Sequence, residues 1–400
     1  MASTDTLDPV RGLSAEGRLL LAAAGGRAMD DTIRTLAAGP VDWDAIIAYA
    51  VRERAESVLW ARLKDAGVAV PPATASMLQA LAIRSDLRMA LLERRLEETI
   101  AALAGAKVPV LLLKGAALGR TVYGGFPQRP MLDLDLLVPR EHAEAARDAA
   151  LASGWVRGEM ERKVAFYEGH NHLPPLHDAR GRDFNLEIHT SLFVPGHPFQ
   201  WTDDQVWERS AAIPGSPARV QSLEDLLLHV ALHFFWSHAG YFGPWRAIRD
   251  VRALAEQPAL DWDRFVARAR ETRGATAAHW TLRLARLLAG AAVPERVEVA
   301  LRPPLPVATL GMFDRHFAIR WFASGLPCPS RRLERWLWRA AVRPGSSGHG
   351  DAVPWTRDPL FLDPDPNKVP EPVTRKVIRH LGSPGRYLRY LQNIILGTAQ

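Results

Sequence analysis

The spacing of apolar residues predicts a helical N-terminal quarter of the chain. Apolar positions recur at intervals of three and four residues through 13–24, 43–63 and 73–103, which is the period of one helix face. Gly67 and the Pro71-Pro72 pair separate the second stretch from the third, because glycine and proline interrupt helices. The third stretch is long and rich in charged residues, so we expect one of its faces to lie along a folded domain.

The apolar pattern changes at residue 108 to one that is typical of strands and short helices. VPVLLL predicts a short buried strand, followed by a turn at Lys114-Gly115 and a small helix from about Ala116. The next predicted elements are a strand, an amphipathic helix and a strand, at 131–138 (MLDLDLLV), 139–153 and 183–193 (DFNLEIHTSLF). Strands separated by helices indicate a small α/β core that ends near residue 192.

A second helical region is predicted beyond this core. SLEDLLLHVALHFFW begins with Ser222, three residues before Asp225, which resembles a helix-capping box with Asp in place of Glu. Helical periodicity continues near 245–256, 262–273 and 276–289. The last hundred residues are rich in Pro, Trp and Arg, with a glycine-serine break at 345–350, and their pattern indicates no function.

The predicted fold class is therefore α+β or α/β, with a small mixed-sheet core flanked by N-terminal and C-terminal helical domains. We divide the chain into an N-terminal helical region, the α/β core, a helical domain and a Pro/Trp/Arg-rich C-terminal region, at 1–107, 108–215, 216–300 and 301–400. A chain of 400 residues, 48% of them hydrophobic, is long enough for two or three such cores.

Composition excludes several classes of protein. The single cysteine, Cys328, cannot form an intramolecular disulfide. No apolar run approaches the ~20 residues of a membrane-spanning helix, and the N-terminus lacks the basic and then apolar pattern of a secretory signal, so we expect a cytoplasmic protein without a membrane partner. The net charge of +6, carried mostly by arginine, suits an anionic ligand. An arginine-rich surface of mixed sign is the favoured explanation of this charge, because no long basic run or basic-aromatic array is present.

Two aspartates in the second predicted strand are the first sign of chemistry. Side chains alternate along a strand, so Asp133 and Asp135 point to one face, roughly 6 to 7 Å apart at Cα. Two carboxylates this close repel unless a cation lies between them, and a hard divalent cation such as Mg²⁺ is the usual solution. Glu187 supplies a third carboxylate on another predicted strand, where His189 shares its face. The alternative is an exposed edge strand that carries acids without a ligand.

The segment before the aspartates favours a phosphate ligand. A strand that ends at Lys114-Gly115 and leads into a helix places free N–H groups and a positive helix end beside the carboxylates. Gly115 would allow the backbone to approach a phosphate closely. Lys114 and Arg129 could neutralise phosphate charge, or each could form a salt bridge to the aspartates without any ligand.

These residues together resemble the nucleotidyltransferases of the DNA polymerase beta superfamily, and more narrowly the bacterial nucleotidyltransferase family proteins. The resemblance covers about 108 to 250 and is carried by Lys114-Gly115, Arg129-Pro130, Asp133-Leu134-Asp135 and Glu187-Ile188-His189. The chain departs from the wider superfamily at Gly115-Ala116, where a glycine-serine or glycine-glycine pair is usual, and in having Glu rather than Asp as the third acid.

The resemblance implies a metal-dependent transfer of a nucleoside monophosphate from an NTP to an acceptor, with release of pyrophosphate. It implies two Mg²⁺ ions, with ATP as the expected NTP. The catalytic and metal-binding residues would be Asp133, Asp135 and Glu187, of which Glu187 could also help to deprotonate the acceptor. The nucleotide-binding residues would be Lys114, Gly115, Arg129 and His189, of which His189 would orient the acceptor or a carboxylate.

Three further groups of polar residues could contribute to a site or could be ordinary structural residues. They are Asp225, His229 and His233; Arg246, Arg249 and Asp250; and His170, His172 and His177. The first group shares one helix stripe, where satisfied core histidines are favoured over a zinc site because no third metal ligand is evident. The second could form an ion pair within the chain, and the third falls in a predicted hairpin near the carboxylates.

Two other functions remain open at this stage. The same scaffold could move the terminal phosphoryl group as a kinase does, or the helical regions could form a non-catalytic scaffold for a peptide or a nucleic acid. Three intact carboxylates favour an enzyme over a scaffold. The acceptor could be a small molecule, a peptide, a protein side chain or RNA, and the pattern indicates no oligomeric state.

Overall fold

The computed structural model describes residues 13–158, 167, 169–321, 328–342 and 384–396. Its N-terminal part is helical, with α1 Ala15–Ala24, α2 Asp30–Ala37, α3 Trp43–Glu53, α4 Glu56–Asp65 and α5 Pro72–Gly105. The stretch 43–63, predicted as one helix, is two helices, because Arg54 takes the left-handed conformation at φ 59° and ends α3. Helix α2 was not predicted. Ser14 caps α1 by accepting a hydrogen bond from the Gly17 amide at 3.1 Å.

The centre of the chain forms one mixed sheet of seven strands, which confirms the predicted fold class. The strands are β1 Leu111–Leu112, β2 Asp133–Leu137, β3 Trp155–Arg157, β4 Leu176–Asp178, β5 Asn185–His189, β6 Ala211–Ala212 and β7 Arg219–Val220. Their order across the sheet is β3-β4-β5-β2-β1-β7-β6. The pairs β2–β5 and β1–β7 are parallel, and the other pairs are antiparallel. Strand β7 extends the sheet beyond residue 215, the predicted end of the α/β core.

Two short helices connect the strands of the core. Helix α6 (Lys114–Thr121) follows β1 and begins two residues earlier than predicted, and α7 (Ala143–Ala152) follows β2 after a single 3-10 turn. Leu134 and Leu136 of β2 are fully buried on the face opposite the aspartates, as the alternation predicts. The long helix α5 packs against α4 and α7, so it lies along the core as its charged pattern indicated.

The downstream part of the chain is again helical, and it contacts the N-terminal helices. Its elements are α8 Asp203–Glu208, α9 Leu223–Leu232, α10 Pro244–Ala255, α11 Trp262–Glu271, α12 Ala275–Ala289, α13 Glu295–Leu301, α14 Val307–Trp321, α15 Arg331–Val342 and α16 Pro384–Leu396. The segment His233–Ser237 continues α9 as a π-helix. Helix α1 packs against α10 and α12, and the Trp245 indole donates a hydrogen bond to the Leu20 carbonyl at 2.7 Å.

The four predicted domain ranges stay a prediction, although these contacts join the first range to the third. The predicted glycine-serine break at 345–350 lies outside the described residues, as do 159–166 and 168, which precede the histidines of the predicted hairpin. None of the described helices combines the length and the apolar character needed to cross a membrane.

Candidate active site

The register between β2 and β5 brings the predicted carboxylates together. These strands are parallel neighbours, with Asp135 opposite Glu187 and Leu137 opposite His189. Opposed residues of adjacent strands project their side chains to the same face, separated only by the distance between strands. Asp133 lies two residues before Asp135 on that face. Three carboxylates and one imidazole from two strands therefore share one surface of the sheet.

Asp135 is the centre of this group. Its Oδ1 accepts a hydrogen bond from Lys114 Nζ at 2.8 Å and lies 2.9 Å from His189 Nε2. The same imidazole nitrogen lies 3.3 Å from Glu187 Oε2, so His189 bridges the two carboxylates. Ligand atoms of Asp135, Glu187 and His189 all lie within 4.8 Å of one another. Asp133 stands outside that closest group.

The carboxylates differ in their titration because their partners differ. Burial, together with the negative charge of Asp135, raises the pKa of Asp133 to about 6. Burial also disfavours the charged form of Asp135, but the Lys114 ammonium and the hydrogen bond with His189 hold its pKa well below the usual range. Burial disfavours the charged form of Glu187 as well, but the hydrogen bond with His189 and the positive charge of Lys114 together lower the pKa of that carboxyl. Asp133 is therefore the carboxylate whose charge the protein compensates least.

The donor set fits a divalent cation. Carboxylate oxygens are the ligands that Mg²⁺ prefers, and Asp133, Asp135 and Glu187 place them on one face. The raised pKa of Asp133 reports uncompensated negative charge, which a bound cation would remove. His189 Nε2 adds a nitrogen ligand for a transition metal, so the cluster also fits Mn²⁺.

Lys114 begins helix α6 in an unusual backbone conformation. Its φ of 44° is left-handed, which costs a residue with a side chain of order 1–3 kcal/mol. The preceding residue, Leu113, provides no side-chain cap, and within the described part of the chain the amides of 114–116 have no hydrogen-bond acceptor. The first helical backbone bond runs from Ala117 to the Leu113 carbonyl at 3.2 Å. Three donors next to Asp135 are therefore available to an anion.

Gly115 makes room for another residue of the site. A Cβ atom added at Gly115 would lie 2.8 Å from Arg129 Nη1 and 3.0 Å from Met131 Sδ. The sequence pattern assigned this glycine to the close approach of a phosphate. In the structure the group that approaches it is the Arg129 guanidinium.

Arg129 is held by a residue far away in the sequence. Its Nη2 donates to Asp250 Oδ2 at 2.6 Å and its Nε to Asp250 Oδ1 at 3.2 Å, which is a two-point pair. Tyr123 donates its hydroxyl hydrogen to Asp250 Oδ1 at 3.0 Å. The possible salt bridge to the β2 aspartates, which the sequence left open, is made by Lys114, and Arg129 pairs with Asp250 instead.

A cavity of about 150 Å³ opens in front of the carboxylates. One side is the carboxylate wall, formed by Lys114, Asp133 and Asp135. The opposite side is the helical wall, formed by His233, His238, Phe242 and Arg246 of the π-helix, the turn after it and α10. The sheet and the downstream helical region therefore enclose one site.

Arg246 is the cation of the helical wall. Its Nη1 donates to the Glu53 backbone carbonyl at 3.4 Å, and none of the carboxylates that the structure describes forms an ion pair with it. Burial, followed by the positive charge of Arg129, lowers the pKa of Arg246. An arginine without an anionic partner beside a cavity is a candidate ligand for an anion.

Of the two predicted helix groups, Asp225, His229 and Arg249 do not line the cavity, whereas Asp250 lines it while it holds Arg129. Asp225 pairs with Arg268 at 2.9 Å. His229 is fully buried, lies 3.0 Å from Gln221 Oε1, and has its pKa lowered to about 3 by burial. The Arg249 guanidinium stacks on Tyr123, 4.5 Å from the ring centre. Asp225 and His229 are therefore structural, and only His233 of that stripe reaches the cavity.

The predicted histidine hairpin places His172 beside His189, with His170 next to it. The His172 ring centre lies 5.2 Å from that of His189 and 4.3 Å from that of His170. His177 is exposed on β4. Asn171, which the sequence pattern did not single out, places its Nδ2 3.3 Å from His189 Nδ1. No spacing rule links an asparagine in a loop to a strand residue eighteen positions later.

The sequence pattern also missed His238 and Phe242 of the helical wall. Both lie on the turn between the π-helix and α10, where Ala239, Gly240 and Gly243 have φ of 44°, 68° and 64°. The glycines AGYFG indicate a tight turn. They carry no signal that this turn faces a strand more than a hundred residues earlier.

Comparison with known proteins gives one match. Residues 39–290 match the model of a family described as uncharacterised nucleotidyltransferase. This range is more than half of the chain and includes every residue of both cavity walls. No curated protein and no solved structure matches the chain.

Proposed function

This chain belongs to the uncharacterised nucleotidyltransferase family, and we propose that it transfers a nucleoside monophosphate from an NTP to an acceptor hydroxyl, in a reaction that requires a divalent metal. In this proposal the family is a branch of the DNA polymerase beta superfamily, and Mg²⁺ with ATP is the expected pair. The carboxylate wall and Glu187 form the catalytic centre.

The main support is the parallel register of β2 and β5. It sets Asp135 beside Glu187, and the turn at Lys114 places an ammonium 2.8 Å from the same Asp135. Asp133 and Asp135 line the cavity together with the start of α6 at Lys114 and Gly115. Glu187 of the neighbouring strand lies beside Asp135 on the same face of the sheet. A metal-bound triphosphate needs this combination, because its metal requires oxygen ligands and its phosphates require donors.

Each residue has a physical task in the proposed reaction. Asp133, Asp135 and Glu187 would hold the divalent cations, which supply charge neutralisation at the phosphates and an activated acceptor oxygen. The amides of 114–116 would bind phosphate oxygens. Nearby carboxylates outweigh the effect of burial and raise the pKa of Lys114, so it stays charged as a phosphate partner. His189 fixes the orientation of the two carboxylates that it contacts.

The proposed step conserves atoms and charge. The acceptor oxygen forms a bond to the α-phosphorus, and the bond from that phosphorus to the α–β bridging oxygen breaks. Its electron pair leaves with pyrophosphate. The acceptor proton passes to Glu187, whose side chain is 24% exposed, compared with 4% for that of Asp135.

Isotopic labelling tests this proposal. The protein is incubated with Mg²⁺, fractionated cell extract and an NTP labelled on either the α- or the γ-phosphorus. Nucleotidyl transfer predicts that only the α-label enters an acceptor, and that Asp135→Asn abolishes the transfer. Asp148→Asn serves as the control, because Asp148 lies on α7 with a side chain that is 66% exposed. Transfer of the γ-label would indicate a kinase instead, and equal activity of Asp135→Asn would reject the proposed centre.

A binding experiment tests the remaining alternative. A non-catalytic scaffold for a peptide or a nucleic acid has no reason to bind NTP in a metal-dependent way. We expect NTP binding by calorimetry to weaken when Mg²⁺ is omitted. Binding that ignores the metal would favour the scaffold.

A further inference from the structure

We infer that the helical wall is the nucleotide-recognition surface: Arg246 binds the triphosphate and Phe242 stacks on the base. This assignment rests on the proposed function, and it adds residues from the helical region that no strand motif contains. It also accounts for side chains that have no evident structural role.

The cations around the cavity divide into paired and unpaired groups. Lys114 is paired with Asp135, and Arg129 is paired with Asp250. Arg246 forms no ion pair with the described carboxylates: its Nη1 donates to the Glu53 backbone carbonyl at 3.4 Å, and Glu53, Asp133 and Asp250 act on its charge only from a longer distance. Arg246 is half-buried, and removing a cation from water without a close anion is costly, so a ligand is a physical reason to keep it there. A triphosphate facing the carboxylate wall would supply an anion at ion-pair distance.

The turn before α10 is built to accommodate this arginine. A Cβ atom at Gly243 would lie 2.7 Å from Arg246 Nη2 and 3.1 Å from its Nε. Gly243 also has a φ of 64°, which a residue with a side chain adopts only at a cost. The absence of a side chain at Gly243 therefore leaves the space that the guanidinium occupies beside the cavity.

Phe242 occupies the mouth of the same cavity. It is 61% exposed, and its ring packs edge-on against His238 at 5.5 Å between ring centres. An exposed aromatic ring beside a charged cavity offers one apolar face to a ligand. Every nucleobase has a π-face, so stacking on such a ring tolerates all four bases. Phe242 would thus hold the base without selecting it.

Two ligands, one with a base and one without, distinguish the proposed contact of Arg246 with the triphosphate from that of Phe242 with the base. Binding of Mg²⁺-ATP and of Mg²⁺-tripolyphosphate is measured by calorimetry for wild type, Arg246→Gln, Arg246→Lys and Phe242→Ala. We expect Arg246→Gln to weaken both ligands roughly 10- to 100-fold, and Arg246→Lys to recover part of the loss, because the charge is kept and the planar fork is lost. Phe242→Ala should weaken ATP about 10-fold and leave tripolyphosphate unchanged.

A matched control excludes a general loss of positive charge. Arg249→Gln removes the same charge three residues further along α10, where the side chain stacks on Tyr123 and donates to the Gln128 carbonyl. Arg249→Gln should leave the affinities for Mg²⁺-ATP and Mg²⁺-tripolyphosphate within about twofold of the wild-type values. Thermal unfolding verifies that each variant is folded. If Arg246→Gln or Phe242→Ala binds ATP as wild type does, the inference is wrong while the proposed function stands. If wild type binds no NTP in the presence of Mg²⁺, both fail.

Discussion

Replacing Asp250 with asparagine should destabilise the protein substantially, because it removes one partner of a buried ion pair. Asp250 accepts two hydrogen bonds from Arg129 and one from Tyr123. The side chains of Arg129 and Asp250 are only 12% and 4% exposed. Asparagine keeps the shape and leaves the Arg129 guanidinium buried without a counter-charge. Removing one partner of such a pair costs about 3 kcal/mol, a large part of the 5 to 15 kcal/mol that holds a typical domain folded.

The assay is urea denaturation of wild type, Asp250→Asn and Asp31→Asn. The control pair, Asp31 with Arg34, has side chains that are 91% and 51% exposed, and such surface pairs contribute at most about 1 kcal/mol. The reasoning predicts a clearly lower midpoint for Asp250→Asn than for the control, with an unchanged slope. Adding Arg129→Met to Asp250→Asn should recover part of the loss, because no unpaired charge then remains.

The result also decides what Arg129 does. If Asp250→Asn lowers the free energy of unfolding no more than Asp31→Asn does, the pair with Asp250 does not hold Arg129 in place. Arg129 is then free to bind a nucleotide, as the sequence pattern predicts. If the loss is large and the double variant recovers, Arg129 is primarily a positioning residue. It then acts through its contact with Gly115, where an added Cβ atom would lie 2.8 Å from Arg129 Nη1.

Three further predictions concern the same site. Gly115→Ala should lower the free energy of unfolding by about 1–3 kcal/mol, because the added methyl group overpacks the site. Gly105→Ala is the control: open space surrounds its Cβ position, so this change should be neutral or stabilising by up to about 1 kcal/mol. Equal melting temperatures of the two variants would contradict this prediction. Burial raises the pKa of Asp133 in the folded protein to about 6, above the 3.8 of an unperturbed aspartate. Its charged form therefore destabilises the metal-free fold above pH 6, and this penalty disappears as the pH falls through 6 towards 4. Asp133→Asn should therefore stabilise by about 1–3 kcal/mol at pH 8 and not at pH 4, and a pH-independent effect in denaturation would refute this cause. Mg²⁺ at a hundred times its dissociation constant should stabilise wild type by about 2.7 kcal/mol and Asp135→Asn much less; an equal gain in both would place the metal elsewhere.

Features that depend on local periodicity were predictable from the sequence. Alternation along β2 places Asp133 and Asp135 on one face because every second residue of any strand shares a face. Glu187 was predicted on a neighbouring strand, and the parallel register confirms that position. The helices α1 and α5 follow from the three-to-four residue spacing, within two residues at each end.

Features that depend on contacts between distant residues were not predictable. Arg129 and Asp250 are 121 residues apart, and no periodicity reveals their pairing. Strands β6 and β7 have two residues each, which is too short for an alternating pattern. The helical wall requires knowing that the turn before α10 faces β2, which only the packed fold provides. The break at Arg54 was missed because a left-handed arginine has no sequence signature as strong as that of glycine.

The most direct test of the proposed centre is to locate the metal. Crystals of the protein grown with Mn²⁺ and an NTP analogue that carries a methylene group between the α- and β-phosphorus would reveal the ion by its anomalous scattering. We predict an anomalous peak in contact with carboxylate oxygens of Asp135 and Glu187, with the analogue's phosphates in the cavity of about 150 Å³. An ordered analogue bound away from these carboxylates would contradict the proposed function. So would an anomalous peak elsewhere in the protein with no peak between Asp135 and Glu187.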